Sequence, residues 1–192
     1  MRDSADGGLL SRLGLSRLFA GPEPEPQEEV DLPAAFKLAM RRNASAVAII
    51  TTANGRRAAG LTVISMVSLS TDPPALLFTI NRSASAYEPL MASRRFAVNI
   101  LGERQRHIAE LFADPKRRAK RFEDSAWSQS LGGPPVLEGA GAAWVDCDLE
   151  AAHDFHSHTI VIGRVRRAWA GAERPLIYED GAYGRVAPIE TD

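Results

Sequence analysis

The stretch that decides the fold runs from Gly60 to Ser85 and contains two apolar runs around a hydroxyl-rich segment. It reads Gly-Leu-Thr-Val-Ile-Ser-Met-Val-Ser-Leu-Ser-Thr-Asp-Pro-Pro (60–74), Ala-Leu-Leu-Phe-Thr-Ile (75–80) and Asn-Arg-Ser-Ala-Ser (81–85). The β-branched runs predict strands, and Pro-Pro predicts a loop between them. Such a loop of hydroxyls and backbone N–H groups can bind a phosphate, whose oxygens accept several hydrogen bonds each. The same Ser and Thr residues also suit simple turn capping, so composition leaves both interpretations open.

Length and composition indicate one globular domain without a strong overall electrostatic field. The chain has 192 residues, of which 45% are apolar and 24% charged, and its net charge is −1. A net charge this small argues against recruitment to nucleic acid or to an anionic membrane. Cys147 is the single cysteine, so an intrachain disulfide is excluded. No apolar run approaches the ~18 residues of a membrane span, and we expect a cytoplasmic protein.

The first thirty residues are predicted to be a flexible tail, and residues 31–188 a single domain. Leucines between positions 9 and 18 could share one helical face, but two arginines interrupt them. The following Pro/Glu tract (21–29) cannot bury enough apolar surface to order itself.

The rest of the chain alternates short apolar runs with turn residues, which favours antiparallel strands over βαβ units. Helices are predicted from Pro33 to about Arg42, from a Ser85/Glu88 capping box to about Ala92, and over 103–113. Strands are predicted at 46–52, 58–64, 75–80, 96–101, 144–150, 159–165, 176–178 and 182–184, with a hairpin turn at Asn54-Gly55. The segment between Ile64 and Asp72 is predicted to be a loop. This pattern predicts a mainly β, antiparallel barrel with peripheral helices.

The strand at 144–150 alternates cleanly between apolar and acidic residues. Val145, Cys147 and Leu149 point one way, and the acidic residues between them point the other. The pattern predicts a half-buried strand with a wet acidic face and an inert, packed thiol at Cys147.

Three histidines close to this strand, His153, His156 and His158, raise the question of a metal site. In an uninterrupted strand His156 and His158 would share one side and His153 the other, while Cys147 faces the core. No Cys-x-x-Cys or His-Glu-x-x-His pattern supports a site, so we predict no metal.

A basic run between Arg94 and Arg121 is the other concentration of charge. Its nine Lys and Arg residues favour a solvated face, with one or two side chains reaching a ligand phosphate as the alternative. Nucleic-acid binding is disfavoured because no aromatic residues are interleaved with the charges.

The sequence of residues 60–85 resembles that of the flavin reductase family, whose members combine a Gly-x-Thr-x-x-Ser segment with a following strand and an Asn-Arg-Ser-x-Ser turn. The resemblance extends from about Phe36 to Val186. It includes Arg121-Phe122, a histidine before a strand of the form x-x-x-x-Gly-x-Val (His158 before 159–165), and a closing Pro-Leu and Tyr segment ending at Tyr183. Two features depart from the family pattern: Gly-Asp is missing before His158, and Ser45-Ala46-Val47 replaces Thr-Gly-Val.

The resemblance implies a flavin-binding split barrel of Greek-key type, usually a homodimer with the flavin near the subunit interface. It implies that His158 acts on the nicotinamide and the flavin ring, with Tyr183 beside them. The flavin-binding residues that it implies are Thr62, Val63, Ile64, Ser65, Ser68, Asn81, Arg82, Ser83, Ser85, Arg121, Phe122 and Tyr183. For Tyr183 and its neighbour Tyr178, plain core packing remains an open alternative.

The function implied is reduction of FMN or FAD by NADH or NADPH, with reduced flavin passing to a partner monooxygenase. The sequence contains no Gly-x-Gly-x-x-Gly after a strand, so the nicotinamide must stack on the flavin in the barrel cleft rather than bind a Rossmann crevice. Two alternatives are a flavin-binding electron carrier without turnover and a flavin-dependent oxidase on the same barrel. The residues do not decide between FMN and FAD or between NADH and NADPH.

Overall fold

The computed structural model describes residues 31–55, 57–123, 126–128, 133–139 and 141–189. The tail predicted for residues 1–30 lies outside them. The chain divides after Met40 into two compact units. The described part of the first unit is residues 31–40, nearly all of them in helix α1 (Leu32–Arg41). The start of α1 is capped by Asp31, whose carboxylate accepts the Ala34 N–H at 3.2 Å. The helix predicted from Pro33 to about Arg42 is therefore confirmed.

The remainder of the described chain is dominated by antiparallel strands. These are β1 (Ser45–Ala46), β2 (Ala48–Asn54), β3 (Arg57–Val63), β4 (Val67–Thr71), β5 (Pro74–Asn81), β6 (Arg95–Ile100), β7 (Trp127–Ser128), β8 (Val136–Leu137), β9 (Ala143–Phe155), β10 (His158–Ala170), β11 (Leu176–Glu179) and β12 (Ala182–Arg185). Two helices lie between them, α2 (Tyr87–Ser93) and α3 (Arg106–Ala113), with short 3₁₀ turns at Glu103–Gln105 and Pro115–Lys120.

Seven strands form one sheet in the order β3–β2–β6–β9–β10–β5–β4, and β1–β11–β12 and β7–β8 form smaller sheets. The two edges of the large sheet, β3 and β4, are consecutive in the chain and are joined only by residues 64–66. The predicted mainly β, antiparallel architecture with peripheral helices is confirmed. The Asn-Gly hairpin is confirmed too: Asn54 pairs with Arg57, and Gly55 adopts the φ of +61° that the turn requires.

At β2, the seven-stranded sheet is covered by an apolar cluster on each face. Ala48 and Ile50 face the first apolar cluster with Phe78 and Phe96, whereas Val47 and Ile49 face a second cluster under α3. This double burial explains why the sequence at 46–52 is continuously apolar. The predicted single strand is divided at Val47, whose N–H donates to Leu176 O at 2.9 Å while its carbonyl accepts the Leu101 N–H at 2.9 Å.

Two local predictions were wrong. The hydroxyl-rich segment is not a loop, because residues 67–71 form the edge strand β4. It pairs with β5 from Val67 opposite Leu77 to Thr71 opposite Pro74, with a register shift between Ser68 and Ser70. The capping box at Ser85 does not form either: α2 begins at Tyr87 after Ala86, with no side-chain cap.

The prediction that the acidic face of β9 is exposed to solvent is wrong at Asp146, whose side chain is completely buried. Its carboxylate accepts hydrogen bonds from Arg95 on β6 at 3.2 Å and from Arg167 on β10 at 2.9 Å. Two guanidiniums from the neighbouring strands compensate the carboxylate, so it can be buried without remaining unpaired. In the described chain, none of the helices is both long enough and apolar enough to cross a membrane.

Candidate functional site

The turn after β5 is organised by the side chain of Asn81. Its Oδ1 accepts hydrogen bonds from the Ser83 N–H at 2.8 Å and the Ser83 hydroxyl at 2.7 Å, and its carbonyl accepts the Ala84 N–H at 2.9 Å. This Asx turn fixes the loop through its own residues. The Ser83 oxygen retains lone pairs, and the exposed Ser85 hydroxyl makes no hydrogen bond within the described residues. Within the described residues, the turn therefore leaves the Ser85 hydroxyl as its uncommitted donor on a preformed backbone.

His158 lies beside this turn because β10 pairs with β5. Its register partner is Asn81, and the Arg82 N–H donates to Ser157 O at 2.9 Å, which closes the two loops on each other. The Ser157 hydroxyl is 2.9 Å from His158 Nδ1. When that hydroxyl donates to Nδ1, the ring proton is on Nε2, where it can be donated to a bound group. The structure thus brings the predicted catalytic histidine to the predicted phosphate turn.

Arg82 is partly engaged by the protein. Its guanidinium forms an ion pair of 3.7 Å with Asp154, and both side chains are about half exposed. Asp154 also accepts a 2.6 Å hydrogen bond from Thr159. A half-exposed guanidinium can still turn towards an anion, because a surface ion pair contributes little.

The hydroxyl of Ser65 connects the segment after β3 to β5. It accepts the Thr79 N–H at 3.3 Å and the Thr79 hydroxyl at 3.0 Å, so it holds residues 64–66 against β5. Ser68 lies elsewhere, on the wall of an apolar cleft of about 440 Å³ between β4 and the strands β6, β9 and β10. The structure therefore joins Ser65 to the Asn81 turn through β5 and places Ser68 in a separate cavity.

Thr62, Val63 and Ile64 line a cavity of about 250 Å³ together with Tyr178 and Tyr183. The Thr62 hydroxyl donates to Ala109 O on α3 at 3.0 Å, so its proton is committed within the protein. This segment also offers the outer backbone of β3, an edge strand of the sheet that, among the described residues, pairs only with β2.

Tyr183 forms the opposite wall of this cavity. Its ring packs edge-on against Tyr178 with centroids 5.3 Å apart, and the guanidinium of Arg106 on α3 lies 5.2 Å above the ring. Burial, with a smaller contribution from the Glu110 carboxylate, raises the pKa of Tyr183 above its ordinary value. The phenol is therefore protonated at neutral pH and available as a donor. Nothing in the sequence spacing had distinguished Arg106 from the other eight basic residues of its run.

Arg121 and Phe122 have a structural environment. Arg121 is only 5% exposed, and its guanidinium donates to the carbonyls of Gly60 at 2.8 Å and Phe112 at 2.7 Å. Burial lowers the pKa of Arg121, with the neighbouring Arg118 adding to the effect. Phe122 packs edge-on against Phe112 and Trp127, with ring centroids 5.3 Å from each. Arg121 thereby connects the backbone of β3 to the end of α3, and the flavin-binding role implied for Arg121 and Phe122 stays a prediction.

The histidines do not assemble a metal site. His156 occupies the hairpin turn with φ +49°, and the register of β9 with β10 places His153 and His158 on the same face, which reverses the predicted arrangement. Within the described residues, no group of three or more His, Cys, Asp or Glu side chains could hold a metal ion.

Comparison with known proteins identifies relatives of this arrangement. The family described as "Flavin reductase like domain" matches residues 40–187. The "NADH:FMN oxidoreductase" of Rhodococcus qingshengii is 33% identical over 160 residues, covering 80% of this chain and 82% of the relative. The reductase subunit HsaB of a flavin-dependent monooxygenase from Mycobacterium tuberculosis is 29% identical over 83% of this chain and 85% of its own.

A solved structure with the same fold is that of SgcE6, an NADH:FAD oxidoreductase of Streptomyces globisporus C-1027, in complex with NAD and FAD fragments. It superposes with a TM-score of 0.74 and is 26% identical, covering 82% of this chain and 94% of its own.

Proposed function

Because the chain belongs to the flavin reductase-like domain family, we propose that it reduces a flavin with NADH and passes the reduced flavin to an oxygenase component. The observation that supports this most directly is the convergence of His158, the Asn81 turn and the Ser65 segment on β5. The proposed flavin donors and the proposed proton-carrying side chain would thereby be held on rigid strands, which is how a site acquires precise geometry. The relatives act on FMN or FAD with NADH, so NADH is the proposed reductant here.

The residues present fit a flavin. The Ser85 hydroxyl would donate to its phosphate, since it makes no hydrogen bond within the described residues, and the Ser83 hydroxyl would do so by exchanging Asn81 Oδ1 for a phosphate oxygen. The outer backbone of β3 near Val63 and Ile64 would bind the polar edge of the ring, and Tyr183 would wall the nicotinamide side. When bound, the nicotinamide supplies a hydride and the flavin ring accepts it.

The protein contributes orientation and one proton position. His158 Nε2 would donate a hydrogen bond or a proton to negative charge that develops on the ring, with Ser157 fixing the tautomer. The Tyr178–Tyr183 pair would pack against the nicotinamide and exclude water from the cavity. Most of the rate gain would come from placing the two rings at reacting distance, because proximity alone can remove several kcal/mol from a barrier.

A second copy of the chain is the proposed partner in a homodimer. The register aligns Val67 on β4 with Leu77 on β5 and Ile162 on β10 across one outward face of the sheet. Val67 is 54% exposed and Phe155, further along the same face, is 68% exposed. An exposed apolar face of this kind usually marks a protein interface. Sedimentation of the wild type and of Val67→Glu would test it; a monomeric wild type would contradict the dimer.

The function is tested by steady-state oxidation of NADH with FMN or FAD as acceptor. The wild type should turn over steadily, whereas a flavin carrier would retain flavin and show no turnover. His158→Ala should lower kcat by about 100-fold, the lower end for a general acid, with flavin affinity changed much less. His107→Ala, an exposed histidine on α3, is the matched control. An unchanged kcat in His158→Ala would remove the histidine from the mechanism.

A further inference from the structure

Tyr183 is the one partly buried residue of β12, and the other residues of the strand are exposed. The backbone that carries it is held firmly. β12 pairs with β11, and the turn between them is fixed at Asp180, whose carboxylate accepts a 2.7 Å hydrogen bond from Arg41 Nε. What the backbone leaves free is the direction of the ring, which depends on rotation about the side-chain bonds.

Two side chains restrict that rotation. The ring of Tyr178 packs edge-on against the Tyr183 ring, with centroids 5.3 Å apart. The guanidinium carbon of Arg106 lies over the Tyr183 ring, 5.2 Å from its centroid. A cation over an aromatic ring is attracted by the negative charge of the π face, so this contact favours one orientation of the ring over others.

Arg106 is itself held on a rigid element. Its Nε donates to the Glu110 carboxylate one turn along α3 at 2.7 Å, and α3 is joined to β3 because Ala109 O accepts the Thr62 hydroxyl. A cation in the first turn of a helix with an anion one turn later is the reverse of the order that the helix dipole favours. The helix therefore gains little from this pair, whereas the contact with Tyr183 gives the arginine a clear role.

Arg106 contacts Tyr183 from outside the cavity of about 250 Å³ that the nicotinamide is proposed to enter. Tyr178 and Tyr183 are among the described residues that line this cavity, and Arg106 is not. The guanidinium is thus placed to act on a ligand through the tyrosine ring. A ring that is already fixed loses less side-chain entropy when a ligand packs against it, and the ligand binds more tightly as a result.

We propose that Arg106 is a positioning residue for the reductant, which holds the Tyr183 ring in the orientation that packs against the nicotinamide. The inference rests on the proposed function, because it takes the nicotinamide to lie at this wall. A wall contact of this kind is made equally before and during hydride transfer. Loss of Arg106 should therefore raise the KM for NADH and leave kcat unchanged.

The test is a double-mutant cycle of Arg106→Gln and Tyr183→Ala, followed through kcat and KM for NADH with FMN as acceptor, with urea midpoints to confirm folding. A cation over an exposed ring changes an equilibrium constant by a factor of about two to five, so Arg106→Gln should raise KM about threefold. Arg106→Lys keeps a cation over the ring and should restore most of the affinity. Arg104→Gln is the matched control, since its side chain is 87% exposed and contacts Glu173 instead.

The cycle separates action through the ring from action on the ligand. If Arg106 acts through the ring, Arg106→Gln raises KM no further in the Tyr183→Ala background. An equal rise in both backgrounds means that Arg106 contacts NADH itself, and it overturns the proposal. So does an unchanged KM in Arg106→Gln or in Tyr183→Ala, an Arg106→Lys variant no better than Arg106→Gln, or the same rise in Arg104→Gln. These results overturn the inference in an active enzyme, whereas a wild type that oxidises no NADH would overturn the proposed function and the inference with it.

Discussion

Replacement of Arg121 by methionine should destabilise the protein and leave flavin binding intact. The substitution keeps the length of an unbranched side chain but removes the guanidinium, which donates to the carbonyls of Gly60, Phe112 and Asp114 at 2.8, 2.7 and 3.2 Å. The guanidinium carbon of Arg121 also lies 5.4 Å from the centroid of the Phe112 ring. A family motif that pairs a basic residue with Phe predicts the opposite result, in which flavin affinity is lost and stability is kept.

The magnitude follows from those contacts. Hydrogen bonds that involve a charged group contribute about 1.5–3 kcal/mol each, and a cation above an aromatic ring about 0.5–1 kcal/mol more. The contributions are not additive, and methionine is buried without the desolvation cost that lowers the pKa of Arg121. We expect a net loss of about 2–4 kcal/mol in the free energy of unfolding, which lowers Tm by on the order of 10 °C for a chain of this size.

Urea unfolding of the wild type, Arg121→Met and the exposed neighbour Arg117→Met measures the change in stability. Titration of FMN fluorescence in buffer, where all three remain folded, measures Kd. The reasoning predicts unchanged Kd for both variants and a lower urea midpoint for Arg121→Met alone. A variant with wild-type stability and flavin affinity reduced tenfold or more would refute it, because Arg121 would then be a phosphate ligand.

Three further predictions concern the buried groups and the tyrosine wall. Asp146→Asn removes the counter-charge of Arg95 and Arg167, which are themselves partly exposed. We expect the free energy of unfolding in urea to fall by about 2–3 kcal/mol. A loss below about 0.5 kcal/mol would contradict the buried network. Burial, then the nearby aspartates, raises the pKa of Cys147 to about 12, so the native thiol should resist thiol reagents at pH 8 and react only after unfolding. Because its folded pKa is above the unfolded value, this burial stabilises the fold at neutral pH and the contribution is lost as pH rises from about 9 towards 12; equal stability at pH 8 and 11 would argue against it. Tyr183→Phe should leave the KM for NADH within about twofold, whereas Tyr183→Ala should raise it about tenfold, because loss of the ring removes its packed area from the cavity wall. Equal effects of the two substitutions would show that the hydroxyl matters more than the ring.

The sequence predicted what depends on neighbours along the chain. Turn residues correctly placed the hairpin at Asn54-Gly55 and the turn at Asn81, because each is a local pattern. Alternation found the starts of β9 and β10 but not their length, since the strands run on to Phe155 and Ala170, beyond the predicted 144–150 and 159–165. The segment 67–71 was missed since an edge strand rich in serine resembles a loop when its partner is unknown. Asp146 was assigned to a wet face because its counter-charges lie about fifty residues before it and twenty after it.

The contacts of Thr62 and Arg121 could not be predicted from the sequence, because their partners also lie far away in the chain. Together these contacts indicate how β3 is held in place. Thr62 donates to Ala109 O, Arg121 donates to Gly60 O, and Gly60 itself lies so close to Phe112 that an added Cβ would be 2.8 Å from the ring. All three contacts come from α3 or from Arg121 beyond it, and the contact from Arg121 is to a backbone carbonyl of β3 itself. An edge strand fixed in this way presents its backbone without losing further entropy on binding. Residues that a motif marks as ligands can therefore serve the ligand indirectly, by making the strand that binds it rigid.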